Sequence, residues 1–199
     1  MQFTTLNLKT VSGPTSLASA ALSDIKEHLK VTSTYEDDLI QIYIEAAIGL
    51  VETYCGISIG QRVYQLNMPH FPRERFIEMP RGPVSAVGAL YYYDTSNVQT
   101  LWAASDYETS LDEIPARLYL QQGDNWESTY ERPDAVTLQY TTGVNAWSAV
   151  TERQRLPIYY LVTHQHRFRQ PVLSGTIATD LPWALRANLQ SLREDFQTG

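Results

Sequence analysis

Two histidines one residue apart, His164 and His166, have the chemistry of a metal site. On a strand both rings would face one side and could share an ion, whereas a helix turns them about 200° apart. The surrounding LPIYYLVTHQHRF reads as helix, and no Cys or carboxylate cluster lies nearby in sequence. A solvated or interfacial pair is therefore expected. The single cysteine, Cys55, ends a helical stretch, where the dipole raises a thiol pKa and disfavours a nucleophile. It reads as a structural thiol. Carboxylates pair at Asp37 with Asp38 and at Asp112 with Glu113, residue types that glycosidases use. Their positions, in a first helical turn and in a chain turn, fit caps and solvated charge instead. No GxxxxGK[ST] or GxGxxG string occurs. Neither nucleotide nor α/β-hydrolase chemistry is expected, and we expect no enzyme, no cofactor and no metal.

Aromatic rings are the stronger candidates for binding. Tyr91, Tyr92, Tyr93, Trp102, Tyr107, Tyr119, Trp126 and Tyr130 crowd one β-like stretch, as rings do in a carbohydrate-binding module. Strands favour aromatics for packing reasons too, and alternation sends Tyr91 and Tyr93 to one face and Tyr92 to the other. Core packing is expected to claim most of these rings, subunit contacts the next share, and sugar stacking the least. Arg153, Arg155, Arg167, Arg169, Arg186 and Arg193 could reach DNA phosphates. Six arginines beside four acids over 49 residues make a weak field, and arginine suits partner carboxylates equally well, so protein contacts are preferred.

These residues need elements to position them, and 199 residues with 43% hydrophobic content can bury a core. No apolar run approaches the roughly 18 residues of a membrane helix. The opening MQFTTLNLKTVSG lacks the charged start and apolar block of a signal peptide. One cysteine forms no internal disulfide and fits a reducing compartment. The net charge of −7 argues against sequence-specific DNA binding. It is uneven: −4 over residues 1–60, −5 over 61–150 and +2 over 151–199.

Residues 1–20 read as an N-terminal arm. Ser23 is placed to cap a short helix ending near Lys30, and Ser33 with Glu36 reads as a capping box for a second helix that Gly56 stops. Period two begins after Gly60, with strands expected at Tyr64–Met68, Phe76–Met79, Val84–Tyr93, Val98–Trp102, Ala116–Leu120 and Ala135–Tyr140. Thr151 and Gln154 form another capping box, Pro157 should kink its helix or mark the first turn, and Pro182 opens a last helix striped by Leu185, Leu189, Leu192 and Phe196. The fold class is α+β. A helical domain, residues 21–58 and 150–199, carries two N-terminal and two C-terminal helices, and a small antiparallel sheet or sandwich is inserted over 59–149.

Eight strings in order then resemble the head–tail connector family of long-tailed bacteriophages, also called adaptor or head-completion proteins. They are LSDIKEHLKV (22–31), YEDDLIQIYIEAAIGLVETYCG (35–56), PRGPVSAVGALYYYD (80–94), ASDY (104–107), GDNW (123–126), VTLQYTTG (136–143), LPIYYLVTHQHRF (156–168) and LPWALRANL (181–189). Each is degenerate alone, and the spacing over roughly residues 20–190 carries the weight. Pro157 and HQHRF depart from the expected pattern of the third helix. The resemblance implies a structural virion protein: a homo-oligomeric ring, commonly twelve-fold, beneath the portal protein of a phage or a phage-derived particle such as a gene transfer agent. It would extend the DNA channel, pass packaged DNA without sequence-specific binding, and offer a platform to a tail-side connector, stopper or tail terminator. Assembly would begin in the host cytoplasm, with no membrane partner. Portal contacts are expected at Trp183, Leu185, Arg186, Leu189 and Arg193, beside the loop Pro171–Asp180, and ring contacts at Tyr92, Trp102, Arg167 and Arg169. The alternative is an aromatic-rich β module recognising carbohydrate or another surface ligand.

Overall fold

The computed structural model describes residues 7–169 and 183–197. The chain forms two compact units: one comprises the described residues within 15–60 and 144–198, the other residues 61–143 with the N-terminal strand. Four helices build the first: α1 (Ala18–Leu29), α2 (Asp37–Cys55), α3 (Glu152–Arg167) and α4 (Trp183–Gln197). The second contains β1 (Asn7–Ser12), β2 (Arg62–Met68), β3 (Phe76–Met79), β4 (Val84–Tyr93), β5 (Gln99–Trp102), β6 (Tyr107–Ser110), β7 (Ala116–Leu120) and β8 (Val136–Thr142). The fold is α+β.

In the helical unit, α2 packs on α1, α3 and α4. Ile40, Ile44, Ala47, Ile48 and Val51 recur at helical spacing and are buried. Gly56, at φ 73°, ends this helix in the left-handed region that glycine enters without steric cost. Its start differs from expectation. Ser33 Oγ accepts the Tyr35 N–H at 3.1 Å, and the helix begins at Asp37 with no side-chain cap. Helix α1 starts at Ala18, so Ser23 lies inside it, because Ala18, Ala21 and Ile25 form the buried face. The capping box of α3 is present, with the Thr151 N–H donating to Gln154 Oε1 at 3.1 Å. The helix runs through Pro157, whose ring is buried in it.

Glu52, only 6% exposed, accepts the backbone N–H groups of Ile59 at 2.7 Å and Gly60 at 3.1 Å where the chain leaves α2. The returning chain adds Val144 N–H to the Ile59 carbonyl at 2.9 Å.

All strand pairs of the β unit are antiparallel, in a five-stranded sheet ordered β1-β2-β8-β4-β5 and a three-stranded sheet ordered β3-β7-β6. Period two sets the register: Tyr64 opposes Tyr140 and Leu66 opposes Leu138, all four buried. One core joins these with Ile77, Met79 and Leu118 of the smaller sheet. Two strands go beyond expectation. Strand β1, within the expected arm, is an exposed edge held by pairing with β2, and β6 is the polar edge YETS. Neither carries the apolar alternation that announces a half-buried strand.

Candidate functional site

The C-terminal helix splits the residues expected to contact a partner. Leu185, Leu189 and Leu192 turn into the helical core, and Cys55 Sγ lies 3.5 Å from the Leu189 carbonyl as its donor. Leu185 and Leu189, expected at the portal, are buried in the helical core of this chain, where one face of a short helix covers its neighbours. Trp183 is 83% exposed, Arg186 is exposed, and the Arg193 guanidinium stands 5.9 Å from the Tyr54 ring. The loop Pro171–Asp180, Pro182 and the side chain of Phe196 lie outside the described residues.

Beside α4, the end of α3 meets the start of α2 through charge. Arg169 donates to Glu36 Oε1 at 2.6 Å, and His166 Nε2 lies 3.1 Å from Oε2. The hydrogen bond from Arg169, then that from His166, holds the Glu36 carboxyl below the usual carboxylate range. Arg169, expected at a ring contact, is thus engaged within its own chain. His164 lies against Phe168, rings tilted and centroids 5.0 Å apart, so the two histidines serve different partners. Among the described residues no cluster of three metal-ligating side chains forms. The other arginines also meet protein groups. Arg155 donates to the Trp147 carbonyl at 2.7 Å, Arg153 to Ser191 Oγ at 2.9 Å, and exposed Arg167 lies 5.7 Å from the Phe168 ring.

Aromatics of the β unit cover one another. Phe71 stacks on Trp126 at 4.6 Å, meets Trp102 edge-on at 5.1 Å and lies 5.7 Å from Tyr92. Trp126 Nε1 donates to the Glu74 carbonyl at 2.8 Å. Trp102 is 8% exposed. Tyr92, half-buried, and Trp102, buried, both expected at a ring contact, pack against Phe71 within this unit. Arg132 covers the Tyr93 ring at 3.8 Å. Of the eight rings considered for sugar stacking, Trp102 is buried, Tyr130 is exposed and the other six are half-buried.

The carboxylate pairs hold structure. Glu113 accepts Tyr119 Oη–H at 2.8 Å, which, ahead of Arg117 at 3.5 Å, lowers its pKa, the opposite of what a general acid needs. Asp37 pairs with Lys26 at 2.6 Å. Burial pushes the Cys55 thiol up to about 11, which keeps it protonated. One string was missed in the sequence: GISIG, residues 56–60, spells the GxSxG of a nucleophile elbow. Its context is wrong. A nucleophile elbow joins strand to helix and exposes its serine, whereas this segment leads from α2 toward β2 and Ser58 is wholly buried.

What remains among the described residues is a helical surface of exposed apolar, acidic and basic side chains. No helix of the described residues is long and apolar enough to cross a membrane. The profile described as phage gp6-like head–tail connector protein matches residues 19–140, more than half the chain. Among solved structures, a chain from the neck of the empty GTA particle, computed with C6 symmetry, superposes with a TM-score of 0.73 at 20% identity, covering 94% of this chain and 95% of that one. A chain from the neck of the native GTA particle, computed with C12 symmetry, gives 0.72 at 20% identity, covering 94% of each. A chain from the virion of the native gene transfer agent gives 0.71 at 20% identity and the same coverage. No curated protein matches the sequence.

Proposed function

We propose, from the premise that this chain belongs to the phage gp6-like head–tail connector family, that it is a ring subunit seated between portal and tail in a phage or phage-derived particle. The observation that carries this reading is the span of the match, residues 19–140, which takes in α1, α2 and seven of the eight strands and not one short motif. The likeness of nearly the whole chain to neck proteins at the level of fold supports it. In this reading copies close into a ring, twelve-fold by analogy with the C12 neck, that docks under the portal and continues the DNA channel. A tail-side connector, stopper or tail terminator takes its other face. Trp183 and Arg186 are the outward residues of α4 fitted to the portal, and the core-facing leucines hold that helix in place. A net charge of −7 per copy lets a duplex pass without holding it.

Particles assembled without this chain test the reading. We expect DNA-filled heads that lack tails, restored by supplying the protein in trans. Normal tails on such particles would refute the connector role. The carbohydrate reading predicts binding on a glycan array, which the connector reading does not.

A further inference from the structure

Helix α2 presents a face that its own helical unit leaves open. Ile42, Leu50 and Tyr54 are 61%, 53% and 44% exposed, and Ala46, Gly49 and Thr53 lie among them at helical spacing. The opposite face is the buried one. Large apolar side chains clustered on an open face mark a contact surface.

Gly49 sharpens this. It stands mid-helix, where only proline is a poorer choice, and a Cβ added there would meet no atom within 4 Å. Nothing among the described residues calls for a glycine at 49. A backbone approaching closely from outside would.

Charge identifies what approaches. Helix α2 contains Asp37, Asp38, Glu45 and Glu52 and no Lys, Arg or His, and Asp38 and Glu45 flank the open face. Helix α3 is the converse. Its outer face carries Leu156 and Tyr160, 38% and 40% exposed, in one stripe with Arg153, His164 and Arg167, and Glu152 is its one acid. Because α2 and α3 pack together through their buried sides, these outer faces look away from the core they share.

We infer that the outer face of α2 in one copy seats on the outer face of α3 in the next, apolar stripe to apolar stripe, with Asp38 and Glu45 toward Arg153 and Arg167. Gly49 lets the two backbones come close. The inference rests on the connector reading and names the partner surface within it. Pairing of α2 with α2 would bring two acidic faces together with no base on either. Pairing of α2 with α3 attracts and repeats head to tail, the contact type that closes a ring.

The test uses full-length chains carrying both Ala46→Cys and Tyr160→Cys, treated with a short bismaleimide and run on a denaturing gel. Cys55, wholly buried, stays outside this chemistry. We expect a ladder of dimer, trimer and higher species from the double variant, and none from either single variant or from Ser96→Cys with Tyr160→Cys. Adding Gly49→Ala should cut the ladder at least threefold while raising the Tm of the isolated chain by about 2 °C. A ladder from Ala46→Cys alone, no species beyond dimer, or a ladder indifferent to Gly49→Ala would overturn the proposal. If particles hold rings of this chain that the pair does not trap, the α2–α3 contact falls and the connector reading stands. If particles hold no multiple copies, the reading itself falls.

Discussion

Glu52 should be the most sensitive single residue in the helical unit. Its carboxylate is nearly buried and accepts two backbone N–H groups, from Ile59 and Gly60, where the chain leaves α2. Truncation in Glu52→Ala strands both donors away from water, and an unsatisfied buried donor costs about 1–3 kcal/mol. The sum is about 2–6 kcal/mol, a large part of the roughly 5–15 kcal/mol that stabilises a domain. Glu52→Gln keeps an acceptor oxygen and loses the charge-assisted share, about 1 kcal/mol per bond and about 2 kcal/mol in all. Urea unfolding followed by helical circular dichroism at 222 nm measures both variants. The expected order is wild type, then Gln, then Ala, with the midpoint moving and the slope unchanged. An alanine variant losing less than about 1 kcal/mol, or a glutamine variant as unstable as alanine, would refute the assignment of Glu52 as the clasp of residues 59–60.

Other expectations follow from single contacts. Gly88 lies where a Cβ would come 3.0 Å from the Gln139 carbonyl oxygen, so Gly88→Ala should cost about 1–3 kcal/mol by thermal melting, as overpacking does. Trp183→Ala with Arg186→Ala should weaken portal pull-down at least tenfold and leave the Tm within about 2 °C, because both side chains are exposed. Glu36, Glu113 and Asp134 all have carboxyls lowered by hydrogen bonds, chiefly from Arg169, Tyr119 and Arg132. Groups lowered in the folded state lend stability that is full above their unfolded pKa, near 4, and is lost as pH falls through the folded values. Melting should therefore be flat from pH 7 to about 5 and decline steeply below 4, less steeply in Arg169→Ala.

Much of the fold was legible because burial imposes a period. Strands β2, β3, β7 and β8 bury alternate residues, and α2 buries one at every helical turn, so spacing located them. The misses share one cause. Strand β1 is an edge whose side chains are almost all exposed, and β6 is polar, so their hydrogen bonds leave no trace in residue type. The start of α1 was misplaced for a related reason. Ala18 and Ala21 are core residues, but alanine contributes little to an apolar pattern, so Ser23 looked like the boundary.

The contact surface is harder to read, because a residue's type does not say which side of a boundary it is on. Trp102 has the chemistry of an interface anchor and is instead gripped by Phe71 and Trp126, while Leu185 and Leu189 share a stripe whose purpose is the helical core. Only the exposures separate these from Trp183. Ile42, Gly49 and Leu50 share with the core residues of α2 a helix whose apolar types run past its buried face. The structure separates the two faces, and the cost of glycine at an open helical position then has meaning. Such a residue weakens the free chain, so its advantage has to lie in what comes against it. That places the informative residues of this protein on its helical surface, where sequence periodicity is mute and packing leaves a gap to be filled.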